Sequence, residues 1–273
     1  MSTMRYGAKL NVLLVTKGHP FARDAFHAMF DAIADCAVTA VEHPAAEVFF
    51  DPAQAAPYDA IVLYDMPGID FAQRDPLRFV PPSEALKRGW RALLASGKGI
   101  VFMHHAIAGW PAWPEYGELT GARFHYAPSR ARGRDYPDSG YRHDVKHVVT
   151  PVDPKHPVAA GIEHGYEISD ELYLCPVFED LVTPLMRSSH AFAPENFYSS
   201  GLALAGKMFS NEGWTHPAGS NLAAWAQRVG RSQLATILGG DGPAAYENPG
   251  LRRLLENTIR WVVDETARMR AAV

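Results

Sequence analysis

The chain has 273 residues, 47% of them hydrophobic and 21% charged, so it can bury a sizeable core and is not a disordered polymer. Its 26 basic and 30 acidic residues give a formal net charge of −4, which argues against a surface built for nucleic acid or anionic membrane. Two cysteines, Cys36 and Cys175, build neither a disulfide scaffold nor a four-thiolate zinc site, whereas twelve histidines, six tryptophans and eleven tyrosines supply ligands, acid–base groups and stacking faces.

The N-terminus carries Arg5 and Lys9, but its apolar run Val12–Val15 is too short for a signal-peptide core. No stretch approaches the roughly 20 apolar residues that span a bilayer, so a cytoplasmic protein is the expectation. Lys9–Thr16 reads as a first strand ending in the turn Lys17–Gly18–His19. Phe21, Ala25, Ala28/Met29 and Ala32/Ile33 then recur at helical spacing, with Pro20 allowed in a first turn. Ala37–Val41 and Tyr58–Asp65 are the second and third strands, and residues 66–82 form a long Pro-containing loop of the kind that carries function. Ser83 caps a helix running to about Ala95, Gly97–Lys98–Gly99 ends it, and Ile100–Met103 is a fourth buried strand.

Beyond it, residues 126–142 look like an exposed, locally basic excursion. His143–Val152 resumes a strand, and Gly165–Ile168, Pro184–Arg187 and Leu234–Leu238 are further candidates, the last ending in Gly239–Gly240–Asp241–Gly242. Leu251, Leu254/Leu255, Thr258/Ile259 and Val262/Val263 form one stripe of a terminal amphipathic helix. Apolar strands separated by helices predict an α/β fold, a flavodoxin-like, doubly wound, mostly parallel sheet with helices on both faces, in a single domain over residues 1–273.

In such a sheet, ligands bind beyond the carboxyl ends of the strands. His19 follows the first strand and His104–His105 follow the fourth, and first and fourth strands are expected as neighbours, their turns facing one crevice. Adjacent strand residues point to opposite faces, so both His104 and His105 reach the crevice only if the chain turns sharply there. The alternative is that one of them packs in the sheet. His143 and His147 share a strand face but lie ~13 Å apart, too far to bind one metal, so one joins the site and the other is structural or exposed. Ser169–Asp170–Glu171–Leu172–Tyr173 places two carboxylates after the short strand Tyr166–Ile168, against the alternative of a helix start capped by Ser169, and alone it carries no functional weight. Trp110, Trp113 and Tyr116 crowd the region after the histidine pair. Stacked aromatic faces suit a sugar ring, against the alternative of ordinary packing around a helix start.

No nucleophile elbow of the GxSxG type, Walker A loop, HExxH motif or GxGxxG turn is present, and neither cysteine lies at a strand-to-helix elbow. The segments GKGIVFMHHAIAGWPAWPEYGELTGARFHY, DSGYRHDVKHVVTPVDPKHPVAAGI, YEISDELYLCPVFED, GWTHPAGSNLAAWAQRVGRSQL, GDGPAAYENP and NTIRWV resemble, in this order, the ThuA-like or trehalose-utilisation family, over roughly residues 9 to 263. The resemblance implies a fold like that of class I glutamine amidotransferases, which carry a cysteine at the elbow where His104–His105 stand here. It disfavours a cysteine-dependent glutaminase. Many chains of the family carry a histidine in the turn that here holds Gly240–Asp241, a departure that puts any role for this turn in question. It also implies work on trehalose, related disaccharides or oxidised keto-sugars.

The leading expectation is a carbohydrate enzyme with His104, His105 and Glu171 as catalytic groups. His19, Trp110, Trp113, His147, Asp170 and Tyr173 would contact substrate. His19, His104 and Glu171 would form an open three-ligand site for a divalent metal, zinc or manganese. The expected partner is a small-molecule sugar, with no nucleotide cofactor, nucleic acid or membrane, and a homo-oligomer is compatible with the chain. The alternatives are a non-catalytic sugar-binding or regulatory module on a scaffold without its nucleophile and, more distantly, a thiol-dependent hydrolase.

Overall fold

In the computed structural model, residues 10–74 and 77–271 are described; the start of the first strand at Lys9 and residues 75 and 76 of the long loop lie outside them. The parallel half of the sheet follows the apolar runs. β1 (Leu10–Lys17) leads to α1 (Arg23–Asp31) and β2 (Cys36–Glu42), then α2 (Pro52–Ala55) and β3 (Ala60–Asp65). The loop after β3 contains a two-stranded ribbon, β4 (Ile69–Arg74) and β5 (Leu77–Phe79). α3 (Glu84–Ser96) starts where expected, because Ser83 Oγ accepts the Leu86 N–H at 3.1 Å, and it ends at Gly97, whose φ of +82° few other residues adopt. β6 (Gly99–Met103) and α4 (Pro114–Thr120) follow.

The second half departs from the reading of the sequence. Within the basic excursion a small hairpin forms, β7 (Ser129–Ala131) with β8 (Arg134–Tyr136), and the next strand starts early, as β9 (Gly140–Pro151). β10 (Tyr166–Leu174) includes Ser169, Asp170 and Glu171, which therefore lie on a strand and not at a helix start. Pairing with β9 across eight register positions outweighs the capping signal. β11 (Thr183–Ser188), β12 (Tyr198–Ser199), α5 (Ser200–Leu204), β13 (Leu222–Val229) and β14 (Ser232–Ile237) follow. α6 (Gly242–Tyr246) and α7 (Pro249–Ala271) close the chain.

The main sheet has ten strands in the order β10-β9-β11-β13-β14-β6-β3-β1-β2, with β12 paired to β9. β2, β1, β3, β6 and β14 run parallel, and the pairings beyond β14 are antiparallel. β3 therefore separates the first apolar strand from the fourth, which are not neighbours. Alternating residues of the parallel strands feed two cores. Val12, Val62 and Val101 pack with Phe26 of α1 and with Leu254 and Ile259 of α7, while Leu13, Ile61 and Phe102 pack with Trp90 of α3 and Tyr116 of α4. Helices thus cover both faces, as a doubly wound α/β sheet requires. A third core of Phe124, Tyr126, Tyr173 and Trp225 lies on the antiparallel side. No described helix is long and apolar enough to cross a membrane.

Candidate active site at the strand ends

The chain leaves β6 through an elbow. His104 has φ +49°, a left-handed conformation that costs a non-glycine residue roughly 1–2 kcal/mol, and a short 3₁₀ turn, His104–Ala108, follows at once. That turn lets both imidazoles enter one cluster, their ring centroids 5.4 Å apart, where an extended strand would have sent them to opposite faces. Both are buried.

The two rings have different roles, set by their hydrogen bonds. His104 Nδ1 lies 2.9 Å from the Leu238 carbonyl, which can only accept, so Nδ1 carries a proton. Its Nε2 meets Glu171 Oε2 at 3.1 Å and Tyr173 Oη at 2.9 Å, and the Tyr173 ring stacks on the imidazole at 4.7 Å. His105 Nε2 donates to the Tyr64 carbonyl at 3.1 Å, leaving its Nδ1 as a buried lone pair without a partner. His19 comes off β1 through Gly18, which must be glycine: φ is +95°, and a Cβ would lie 2.3 Å from the Met66 carbonyl oxygen. The His19 ring lies 4.6 Å from that of His105, and its Nδ1 is likewise buried and unpartnered.

Asp241 joins the two halves. With His19 and His105 it offers ligand atoms within 4.8 Å of one another, and it does the same with His104 and Glu171. The expected set His19–His104–Glu171 is thus divided between two groups that share Asp241. Asp170 does not face them. Its carboxylate accepts the N–H groups of Gly240 at 2.7 Å, Asp241 at 2.9 Å and Glu171 at 2.9 Å, so it positions both carboxylates of the cluster. Tyr64 Oη also donates to the Gly240 carbonyl at 2.9 Å and meets Tyr246 Oη at 2.7 Å. The turn has room for nothing larger at Gly239, where a Cβ would lie 2.7 Å from Asp170 Oδ2.

Electrostatics separate the groups further. Burial opposes a charge on His104, but the Glu171 hydrogen bond and the Asp241 and Glu171 charges outweigh it and raise its pKa to about 9. Burial would raise Glu171, yet the His104 bond and charge, with His143 behind them, hold it below the usual carboxylate range. Burial, then the charge of His104, lowers both His105 and His19. At neutral pH the site therefore holds an imidazolium–carboxylate pair beside two neutral imidazoles. Burial lifts the Asp170 pKa to about 6.

A cavity of about 350 Å³ opens beside Glu171, Tyr173, His19 and His143. His143 Nδ1 lies 3.3 Å from Glu171 Oε1, whereas His147 is buried elsewhere against Ser188 Oγ at 2.8 Å. The two histidines do not share a face because a bulge intervenes: register jumps from Asp170↔Val145 to Leu172↔Arg142, and Asp144 has φ +55°. His143, not His147, is the one that joins the site. Trp110 and Trp113 do not line the cavity; both are buried in the core beside α3 and α4. Of the expected residues the structure thus brings together His19, His104, His105, Glu171 and Tyr173, with Asp170 behind them. Asp241 and His143 are the additions. The signal for Asp241 was its place at the end of an apolar strand, since β14 pairs directly with β6. Cys36 and Cys175 lie elsewhere, and burial raises both thiols, Cys175 to about 12.

A model of the ThuA family, described as trehalose utilisation, matches residues 11–262. Among solved structures, a putative ThuA-like protein from Parabacteroides merdae superposes with TM-score 0.62 at 16% identity, covering 93% of this chain and 90% of that one. A second, from Bacteroides uniformis, gives 0.62 at 14% identity over 96% and 94% of the two chains. A cytoplasmic protein of Salmonella typhimurium gives 0.54 at 11% identity over 93% and 99%. At these identities the likeness is one of fold. No curated protein sequence matches the chain significantly.

Proposed function

Since this chain belongs to the ThuA family of trehalose utilisation, we propose that it is an enzyme acting on a disaccharide or keto-sugar at the elbow after β6. The observation that supports this reading most is the convergence of His19, His104, His105 and Asp241, which follow the carboxyl ends of β1, β6 and β14, with Glu171 of β10, beside a cavity of small-molecule size.

Glu171, kept ionised by His104 and His143, faces the cavity and accepts a proton from the carbon beside a sugar carbonyl. His104 is fully buried, so it orients and charges Glu171 without touching substrate, and Tyr173 braces it. The electron pair left on that carbon would form a double bond as the carbon–oxygen bond at the next carbon breaks, and His143, with a side chain 40% exposed and beside Glu171 Oε1, is placed to protonate the departing oxygen. His19 and His105, each with a buried Nδ1 that lacks a partner, make with the Asp241 carboxylate a nitrogen–oxygen donor set that suits zinc or manganese. Held there, such a cation would polarise a sugar carbonyl or hydroxyl.

Two measurements test this. Keto-disaccharide incubated with the protein should be consumed, as followed by NMR; saturable calorimetric binding with unchanged sugar would instead favour the non-catalytic binding module. Elemental analysis of protein purified without an affinity tag should find a divalent metal that is lost in Asp241→Ala. Metal-free protein of undiminished activity would remove the cation from the account.

A further inference from the structure

We infer that the cavity beside Glu171 takes a glycoside carrying an apolar, aromatic aglycone, with its sugar at the histidine end. This deepens the sugar reading above and rests on it. Away from Glu171 the walls are hydrocarbon, including Met66, Phe71, Phe124 and Leu204. Each hydroxyl that lines the cavity already makes a hydrogen bond within the protein, which leaves it part of its capacity for a ligand. Tyr126 Oη donates to the Ala108 carbonyl and Ser200 Oγ to the His125 carbonyl, each at 3.1 Å. Tyr141 Oη accepts the Phe209 N–H at 2.9 Å, and Tyr173 Oη is held by His104.

Among the lining residues, His19, His143 and Glu171 carry the imidazole and carboxylate groups, and His143 Nδ1 lies 3.3 Å from Glu171 Oε1. A disaccharide carries a hydroxyl on most of its carbons, and each one buried without a partner costs roughly 1–3 kcal/mol. One sugar ring is served by that polar end, while a second would lie against hydrocarbon. An aromatic ring fits there without that cost, against Phe124 and Tyr126, which already meet edge to face at 5.2 Å. The mouth has the same character: Met208 and Phe209 are 52% and 57% exposed, and the Phe209 ring lies 6.0 Å from that of His143.

Calorimetry on the intact protein with trehalose, methyl α-glucoside and phenyl α-glucoside, each also in its keto form, tests the inference. The phenyl glucoside should bind at least about tenfold tighter than either other sugar, equivalent to about 1.4 kcal/mol. Leu204→Asn and Met208→Asn, at a half-buried and an exposed position, should move the phenyl-to-methyl ratio toward one, with thermal melts showing that both variants fold. Trehalose binding as tightly as the phenyl glucoside, or an unchanged ratio in both variants, overturns this inference and leaves the sugar reading standing. Binding of none of these sugars overturns both.

Discussion

Replacing Glu171 with Gln keeps the shape of the side chain but removes the charge that faces His104. The folded-state pKa of His104, about 9 against an ordinary 6.5, corresponds to about 3 kcal/mol in favour of the imidazolium. A raised pKa on a base means the folded state holds the extra proton, so this stabilisation is fully present below pH 6.5 and lost as pH rises through 9. Removing one partner of a buried pair usually costs about 3–5 kcal/mol because a bare charge is left behind. Here His104 can give up its proton, which caps the loss near the lower figure, and Asp241 at 3.8 Å retains part of the effect. Glu171→Gln should therefore cost about 2–3 kcal/mol at pH 7 and well under 1 kcal/mol at pH 10. The assay is urea unfolding followed by tryptophan fluorescence at the two pH values on chelator-treated protein; other titrating groups cancel in the difference between wild type and variant. Tyr173→Phe is the control, costing about 1 kcal/mol at both pH values. An equal loss at pH 7 and pH 10 would refute the ion pair.

Other outcomes follow from the neighbouring residues. Asp170 has a folded-state pKa of about 6 against 3.8, so the folded state binds its proton more tightly and stability falls by about 2 kcal/mol as pH rises from 4 to 6; Asp170→Asn should flatten that slope in pH-resolved unfolding. Gly240→Ala forces a side chain onto φ +116° and against Met103, so it should cost about 1–3 kcal/mol in thermal unfolding and lower turnover by moving Asp241. His143→Ala should reduce kcat by roughly 10²-fold or more, the usual contribution of an acid–base group. His147→Ala should leave kcat within about twofold, since it loses only the Ser188 contact. Alkylating the accessible thiol should leave activity intact, because neither Cys36 nor Cys175 lies at the elbow.

The parallel half of the fold was legible because β1, β3, β6 and β14 are continuous apolar runs buried on both faces, and Ser83 and Gly97 punctuate α3 where their chemistry requires it. The antiparallel half was legible only in part: His143–Val152, Gly165–Ile168 and Pro184–Arg187 match β9, β10 and β11, whereas β13 carried no expectation. Leu222–Val229 pairs with β11 through contacts far apart in sequence and with β14 through a tight hairpin, Val229 opposite Ser232, while Ser169–Asp170–Glu171 carries a local helix-start pattern that long-range pairing with β9 overrides. The site followed the same division. His19, His104 and His105 could be placed because strand ends converge in any parallel sheet. His143 could not be told from His147, since a bulge decides their faces and leaves no local signature. Asp241 was visible only as the end of a strand; its part in the site depends on β14 lying beside β6.

Deuterium wash-in tests the central claim most directly. A keto-disaccharide incubated with the protein in D₂O should acquire deuterium at the carbon beside its carbonyl, at a rate proportional to protein concentration, with Glu171→Gln slowing that rate by roughly 10²-fold or more. Saturable binding of the sugar with wash-in no faster than in buffer, or an undiminished rate in Glu171→Gln, would contradict the account.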